Sequence, residues 1–304
     1  MPLHIETPLF ESGAMSTPGQ SVWLKMDALQ PPGSFKIRGI GFACEEYARR
    51  GARRFISSSG GNAGIAAAYA GRRLSIPVVV VVPETASAHA KELIRREGAE
   101  VIVHGASFQE ANALAQSMLT PLDAFIHPFD DPLLWEGHAS MIDEVARAGV
   151  TPDAVVLSVG GGGLLCGVVK GLRRNGLVDV PVIAVETEGA DSLARSMAAG
   201  ERIELPAITS IATSLGARKV SEQAFEWTRQ HPVQSVVVPD SAAVAACIRF
   251  MDDHRLVVEP ACGASLAVAY DRAALRQLQN VLVIVCGGVT ATVAQLQAWA
   301  TSRK

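Results

Sequence analysis

Asp153-Ala154-Val155-Val156-Leu157-Ser158-Val159-Gly160-Gly161-Gly162-Gly163-Leu164-Leu165-Cys166-Gly167-Val168-Val169 passes from an unbroken apolar β-type run, through four consecutive glycines, into an apolar run with helical spacing. Strand, tight loop and helix in that order form the building unit of a parallel α/β sheet. A continuous rather than alternating apolar strand implies burial on both faces.

The same pattern extends along the chain. Further β-rich runs lie at 22–25, 54–57, 78–82, 101–104, 182–185, 236–238 and 281–286, and 155–159 belongs to the quoted stretch. Helical spacing fills 63–74, 87–97, 108–118, 138–148, 164–175 and 242–253, which predicts parallel sheets covered on both sides. Phe129-Asp130-Asp131-Pro132 is a turn-forming patch after which the pattern restarts, and a second boundary is expected near Gly39 to Gly41. The expected division is a small α/β domain of residues 42–131 inserted into a larger one of residues 1–41 and 132–304, with a ligand cleft between them.

Composition narrows the function classes. At 304 residues the chain can bury a large core. Apolar residues make up 49%, yet runs such as 78–82 fall far short of the roughly 18 apolar residues of a spanning helix. Residues 1–10 lack the basic end and long apolar stretch of a signal peptide. A net charge of -3 with scattered Lys and Arg argues against a nucleic-acid partner. The five cysteines form no C-x-x-C pair, which disfavours both a disulfide framework and a zinc ribbon and suits a cytoplasmic setting. The histidines show no metal-binding spacing and are expected to be ordinary.

Four segments carry chemistry. Bare N–H groups of Gly160, Gly161, Gly162 and Gly163 at a helix start suit a phosphate, and the run matches neither a Walker A loop nor G-x-G-x-x-G, leaving a compact monophosphate or a plain structural turn. Lys36 lies in Gly33-Ser34-Phe35-Lys36-Ile37-Arg38-Gly39, behind a stiff Pro31-Pro32-Gly33. An amine that attacks an aldehyde must be partly deprotonated, through desolvation or a neighbouring positive charge, and Phe35, Ile37 and Arg38 offer both; the alternative is a solvated lysine. Ser58-Ser59-Gly60-Gly61-Asn62-Ala63-Gly64 again joins strand to helix and suits a carboxylate, with Asn62 free to cap the helix or to reach a phenolate-type oxygen; capping alone is the simpler reading. Cys286 ends an apolar strand before Gly287-Gly288, where its thiol would meet a pyridine nitrogen without full negative charge, or would be buried filler. Amine, phosphate cradle and ring partners together point to pyridoxal phosphate.

These motifs resemble the L-serine dehydratase/L-threonine deaminase family. The likeness is carried by Ser34-Phe35-Lys36-Ile37-Arg38-Gly39, Ser59-Gly60-Gly61-Asn62-Ala63-Gly64, Ser158-Val159-Gly160-Gly161-Gly162-Gly163-Leu164 and Cys286-Gly287-Gly288. Phe129-Asp130-Asp131-Pro132, Trp135-Glu136-Gly137-His138-Ala139-Ser140 and Val258-Glu259-Pro260-Ala261-Cys262-Gly263-Ala264 extend it nearly end to end. The resemblance implies the fold-type II pyridoxal phosphate architecture, similar to the tryptophan synthase β chain, with two three-layer α/β domains, largely parallel sheets and pairing as a homodimer. It implies that Lys36 holds the cofactor as an imine and acts as the base, that Phe35 lies against the ring and that residues 160–163 and Leu164 hold the phosphate. It further implies that Asn62 contacts the ring oxygen, that Ser59, Gly60, Gly61 and Asn62 bind the substrate carboxylate and that Cys286 faces the ring nitrogen. Glu186, Ala190 and Ser192 match a monovalent-cation segment, completed by the carbonyls of Leu215 and Ala217, with K+ as the ion. The implied reaction is dehydration of L-serine to pyruvate and ammonia, and of L-threonine to 2-oxobutanoate.

Three positions depart from the family pattern. Gly60 stands where many members carry alanine, which suggests a roomier carboxylate pocket; Ser214 stands for an alanine, and Val289-Thr290 for a more polar pair. Other activities on the same scaffold remain open at this point: a threonine-preferring deaminase, a serine racemase, a cysteine synthase, or a binding protein without catalysis. A racemase would need an acid/base on the second ring face, and Ala63 after Asn62 offers none.

Overall fold

The computed structural model describes residues 1–302. In chain order the elements are β1 (Leu9–Glu11), β2 (Ser21–Lys25), α1 (Lys36–Arg49), β3 (Arg54–Ser57), α2 (Asn62–Leu74), β4 (Val78–Val82), α3 (Ala88–Arg96), β5 (Glu100–Val103), α4 (Phe108–Ser117) and β6 (Asp123–Phe125). They continue with α5 (Pro132–Arg147), β7 (Ala154–Ser158), α6 (Gly163–Arg174), β8 (Val182–Thr187), α7 (Ser192–Ala199) and α8 (Glu222–Gln230). The remainder are β9 (Val233–Val238), α9 (Asp240–His254), α10 (Pro260–Asp271), β10 (Asn280–Ile284) and α11 (Val293–Thr301).

Two sheets result. One has six strands in the order β1-β2-β10-β7-β8-β9 and is parallel except for β1, which runs antiparallel to β2. The other has four parallel strands in the order β5-β4-β3-β6. This is the α/β architecture with mostly parallel sheets that the apolar runs predict. The five valines of β4 and all of β7 are buried, as strands covered on both faces must be. The two-residue side-chain period sorts the small sheet's core: Phe55, Val78, Val80 and Val82 pack with α1 and α2, while Ile56, Val79 and Val81 pack with Ala111 and Ala115 of α4.

Helix α1 belongs to the small sheet's apolar cluster through Ile37, Ile40, Ala43 and Cys44, yet it starts at the six-stranded sheet. The boundary expected near Gly39 to Gly41 therefore falls inside a helix. Gly39 is required there by packing, since a Cβ would lie 2.6 Å from the His138 ring and from the Leu134 carbonyl oxygen.

A buried ionic cluster pins the first turn of α1. Arg38, fully buried, donates to Asp27 through Nε (2.7 Å) and Nη2 (3.0 Å), and to Glu144 of α5 through Nη1 (2.5 Å) and Nη2 (2.8 Å). Lys25 pairs with the same Glu144 and donates to the Thr7 carbonyl at 2.6 Å, so two cations face two carboxylates. Burial alone would raise the Glu144 carboxyl, but Arg38 and Lys25 hold it below the usual carboxylate range. Its contribution is thus complete above the unfolded value and is lost as pH falls through the lower folded one. Removing Arg38 leaves the buried Asp27 without a cation and Glu144 with Lys25 alone, which costs about 3–5 kcal/mol. Denaturant unfolding of Arg38→Met should show a loss of that size; a loss under about 1 kcal/mol would mean the cluster is relieved by water or rearrangement.

Candidate active site

Backbone pairing carries Lys36 to its position. Gly33 has φ +79°, and the side chain of Val289 occupies the place its Cβ would take. Ser34 forms an antiparallel bridge to Gly287, the Phe35 N–H donates to the Cys286 carbonyl at 3.0 Å, and the Gly288 N–H donates to the Gly33 carbonyl at 2.9 Å. The segment before Lys36 is thereby laced to the exit of β10, and Lys36 opens α1 with its amine donating to the Pro128 carbonyl at 2.6 Å. Burial lowers the amine from 10.5 to about 8. The expected help from Arg38 is corrected: its guanidinium is neutralised by Asp27 and Glu144, and the acidic neighbours of Lys36 are Cys286 and Glu259, which raise it.

The Phe35 ring lies 5.2 Å from the Lys36 amine and 4.9 Å from the ring of His138. His138 is fully buried with neither ring nitrogen partnered, and burial holds it well below 6.5, hence neutral. His127 is also neutral, lowered to about 4 by burial and then by Lys36. Its Nδ1 accepts from the N–H groups of Phe129 (3.2 Å) and Asp130 (2.7 Å), bracing the turn whose Pro128 carbonyl holds Lys36. The histidines expected to be ordinary thus include two that shape the surroundings of Lys36. No metal spacing marks them, and only the folded contacts bring them there.

The glycine run forms the start of α6. Gly162 stands at the N-cap with φ +95° and no side chain caps the helix, so its first N–H groups keep their capacity for an anion. Close approach explains the missing side chains: a Cβ on Gly161 would enter the Phe129 ring at 2.2 Å, one on Gly160 would meet the Leu215 backbone at 2.9 Å, and one on Gly162 would meet Ala224 at 2.3 Å. Leu164 is buried in the first turn. The Phe129 turn that receives the Lys36 amine therefore also packs against this loop, joining the two motifs through one segment.

At the start of α2 Gly61 is the N-cap, again without a capping side chain, and Ser59 Oγ accepts weakly from the Gly61 N–H at 3.4 Å. Asn62 is not the cap: it is the first helical residue. Its Oδ1 accepts from the Val289 N–H (3.1 Å), and its Nδ2 donates to Glu259 (2.7 Å) and, at 3.3 Å, to Ser214. The roomier pocket expected at Gly60 is also corrected, because a methyl there would point at Ala86 Cβ, 2.9 Å away, and at Val82. The sequence pattern gave no role to Glu259, which is buried and raised by burial against donors from Ser214, Thr290 and Asn62. An acid directly before a proline that opens a helix, within the 258–264 run that extends the resemblance, marks the position in the sequence but does not reveal that the acid faces Asn62.

The Cys286 thiol hydrogen-bonds with Cys262 and, with burial, is held well above its usual value. It is therefore a neutral thiol. Glu186 on β8 accepts from the N–H groups of Leu193 (2.8 Å) and Ala194 (2.7 Å), and burial raises its carboxyl to about 8. Nearby, the buried Ser192 hydroxyl has no partner, the Ala190 N–H donates to the Thr187 carbonyl, and the Leu215 carbonyl accepts from the Ala217 N–H. Among the described residues no group of three or more His, Cys, Asp or Glu side chains is placed to hold a metal ion, and no helix is long and apolar enough to cross a membrane.

The donor set fits an aldehyde cofactor with a phosphate and a heteroaromatic ring. It offers a buried amine of lowered basicity, an uncapped glycine helix start, a neutral thiol, and the Ser34 hydroxyl buried without a partner beside Lys36. Comparison with known proteins agrees. Residues 1–287 match the family model described as pyridoxal-phosphate dependent enzyme. The human protein named L-serine dehydratase/L-threonine deaminase is 49% identical over 98% of this chain and 94% of its own length, and the human protein named serine dehydratase-like is 48% identical over 99% and 95%. The crystal structure of a fungal L-serine ammonia-lyase from Rhizomucor miehei superposes with a TM-score of 0.94 at 32% identity, covering 100% of both chains. The amine, the bare helix start and the end-to-end match lead to one assignment: this chain belongs to the pyridoxal-phosphate dependent enzyme family, alongside the L-serine dehydratases/L-threonine deaminases.

Proposed function

We propose that this chain dehydrates L-serine to pyruvate and ammonia, and L-threonine to 2-oxobutanoate and ammonia, with pyridoxal phosphate bound at Lys36. The observation that carries the reading is the buried Lys36 amine, lowered to about 8, beside both the Phe129-backed glycine loop and the neutral Cys286. At pH 7 about a tenth of such an amine is unprotonated, against roughly a few in ten thousand at its ordinary value. The bound cofactor supplies the electron sink. With substrate bound, the free Lys36 amine would take the Cα proton. The uncapped N–H groups of residues 160–163 and Leu164 hold the phosphate, Phe35 supports the ring, Asn62 donates to the ring oxygen, and Ser59, Gly60, Gly61 and Asn62 receive the substrate carboxylate. The protonated Cys286 gives the ring nitrogen no negative partner, which favours prompt loss of the β-hydroxyl over reprotonation at Cα. The sheets suggest a small domain of residues 42–131 against the rest of the chain, and a cytoplasmic homodimer is part of the same proposal.

A monovalent cation, K+, completes the proposal at Glu186, Ala190, Ser192, Leu215 and Ala217. The buried carboxyl raised to about 8 and the unpartnered Ser192 hydroxyl support it. Without a cation the folded state holds its Glu186 proton longer than the unfolded one, so stability falls as pH rises from 4.5 towards about 8. Thermal melting in tetramethylammonium buffer should decline across that window and be restored by K+; identical melts in both buffers would remove the site.

Assay of the purified protein with added pyridoxal phosphate should give pyruvate from L-serine and 2-oxobutanoate from L-threonine, with at least about a hundredfold loss in Lys36→Ala. Unimpaired turnover by that variant, or cysteine instead of pyruvate from serine plus sulfide, would contradict the assignment.

A further inference from the structure

We propose that Glu259 is a positioning residue that fixes which way the Asn62 carboxamide faces, and so tunes the cofactor through the ring oxygen. The inference rests on the reading above, that the cofactor sits at Lys36 with Asn62 at its ring oxygen.

The geometry is a two-sided clamp. The Val289 N–H can meet only the oxygen of the Asn62 amide (3.1 Å), and the Glu259 carboxylate meets its nitrogen (2.7 Å). Reversing the amide would set carbonyl against carboxylate and N–H against N–H, so the orientation is determined on both sides. One Nδ2 hydrogen is committed to Glu259; the other has only the long contact to Ser214 at 3.3 Å and is the one available to a ring oxygen. Glu259 is itself held by Thr290, through N–H (3.3 Å) and Oγ1 (2.5 Å), and by the Ser214 hydroxyl. Its charged or titratable neighbours are Lys36, Cys286 and Cys247. The Gly288 backbone passes so close that a Cβ there would lie 2.0 Å from the Glu259 carboxyl carbon, leaving the carboxyl no alternative seat. Glu259 thus ties together the start of α2, the 213–215 turn and the loop after β10, all at the one amide.

A hydrogen bond given to the ring oxygen withdraws electron density and lowers the pH at which the Lys36–cofactor linkage loses its proton. With Asn62 free to turn, that transition moves up. The test is the absorbance titration of the bound cofactor in the holoenzyme, which reads the ring and not turnover. Glu259→Ala is expected to shift the midpoint up by about one pH unit, Asn62→Ala by the same amount, and the double variant by no more than either. Glu259→Gln, which keeps an oxygen for Asn62, should titrate near the parent. Should Glu259→Ala fail to fold, Glu259→Met keeps the volume and is read in the same way. An unshifted midpoint, or shifts that add in the double variant, would overturn the proposal. So would collapse of both 259 variants while Asn62→Ala stays folded, because Glu259 would then hold the fold and not the amide. A parent protein with no cofactor absorbance would instead sink the functional reading on which this rests.

Discussion

The double clamp of Arg38 by Asp27 and Glu144 is the constraint on which the site depends. Lys36 lies two residues ahead of that guanidinium, in the same first turn of α1. A lysine side chain has many rotamers, and a reactive amine needs one narrow region, so its backbone has to be fixed by something other than its own contacts. Arg38 supplies this with a planar fork that satisfies two carboxylates at once. The arrangement also separates charges: neutralised below, Arg38 leaves burial as the cause that lowers the Lys36 amine.

Above that anchor, the active site is a convergence of strand exits. β3 and β7 end on serines, Ser57 and Ser158, that lead to Ser59-Gly60-Gly61 and to the glycine loop, and β10 ends on Ile284 and leads through Val285 to Cys286-Gly287-Gly288. The Phe129 turn, braced by His127 and by the Trp135 indole N–H on the Phe129 carbonyl, bridges the amine and the glycine loop. Helix starts without capping side chains are a stability deficit in an empty protein and a binding device in a loaded one. Neutral groups dominate the interior of this site: Cys286 protonated, His127 and His138 uncharged. The charged groups that remain are Lys36 and the Glu259 carboxylate, the latter covered by donors from Ser214, Thr290 and Asn62.

The sequence was most legible where local pattern decides the outcome. Strands read at 54–57 and 78–82 agree with β3 and β4, because unbroken apolar runs between turn signals leave little choice. β1 and β6, three residues each, carry too little pattern to be read, and α5 begins six residues before the helical run at 138–148 because Asp131 caps it and Pro132 opens it. Lys36, the glycine loop and Cys286 could be singled out by type and setting. The partners of Asn62 could not, since Val289 and Glu259 lie 227 and 197 residues away in the chain. Gly39 and Gly60 were misread for the same reason: each is small because of a neighbour, His138 or Ala86, that only the fold reveals.

The central claim is that the Lys36 amine is the cofactor's attachment point. Reduction of the holoenzyme with sodium borohydride, followed by proteolysis and mass analysis, tests it directly. The account predicts a single peptide carrying the reduced cofactor, the one that contains Lys36; the same label on another lysine, or on none, would contradict it.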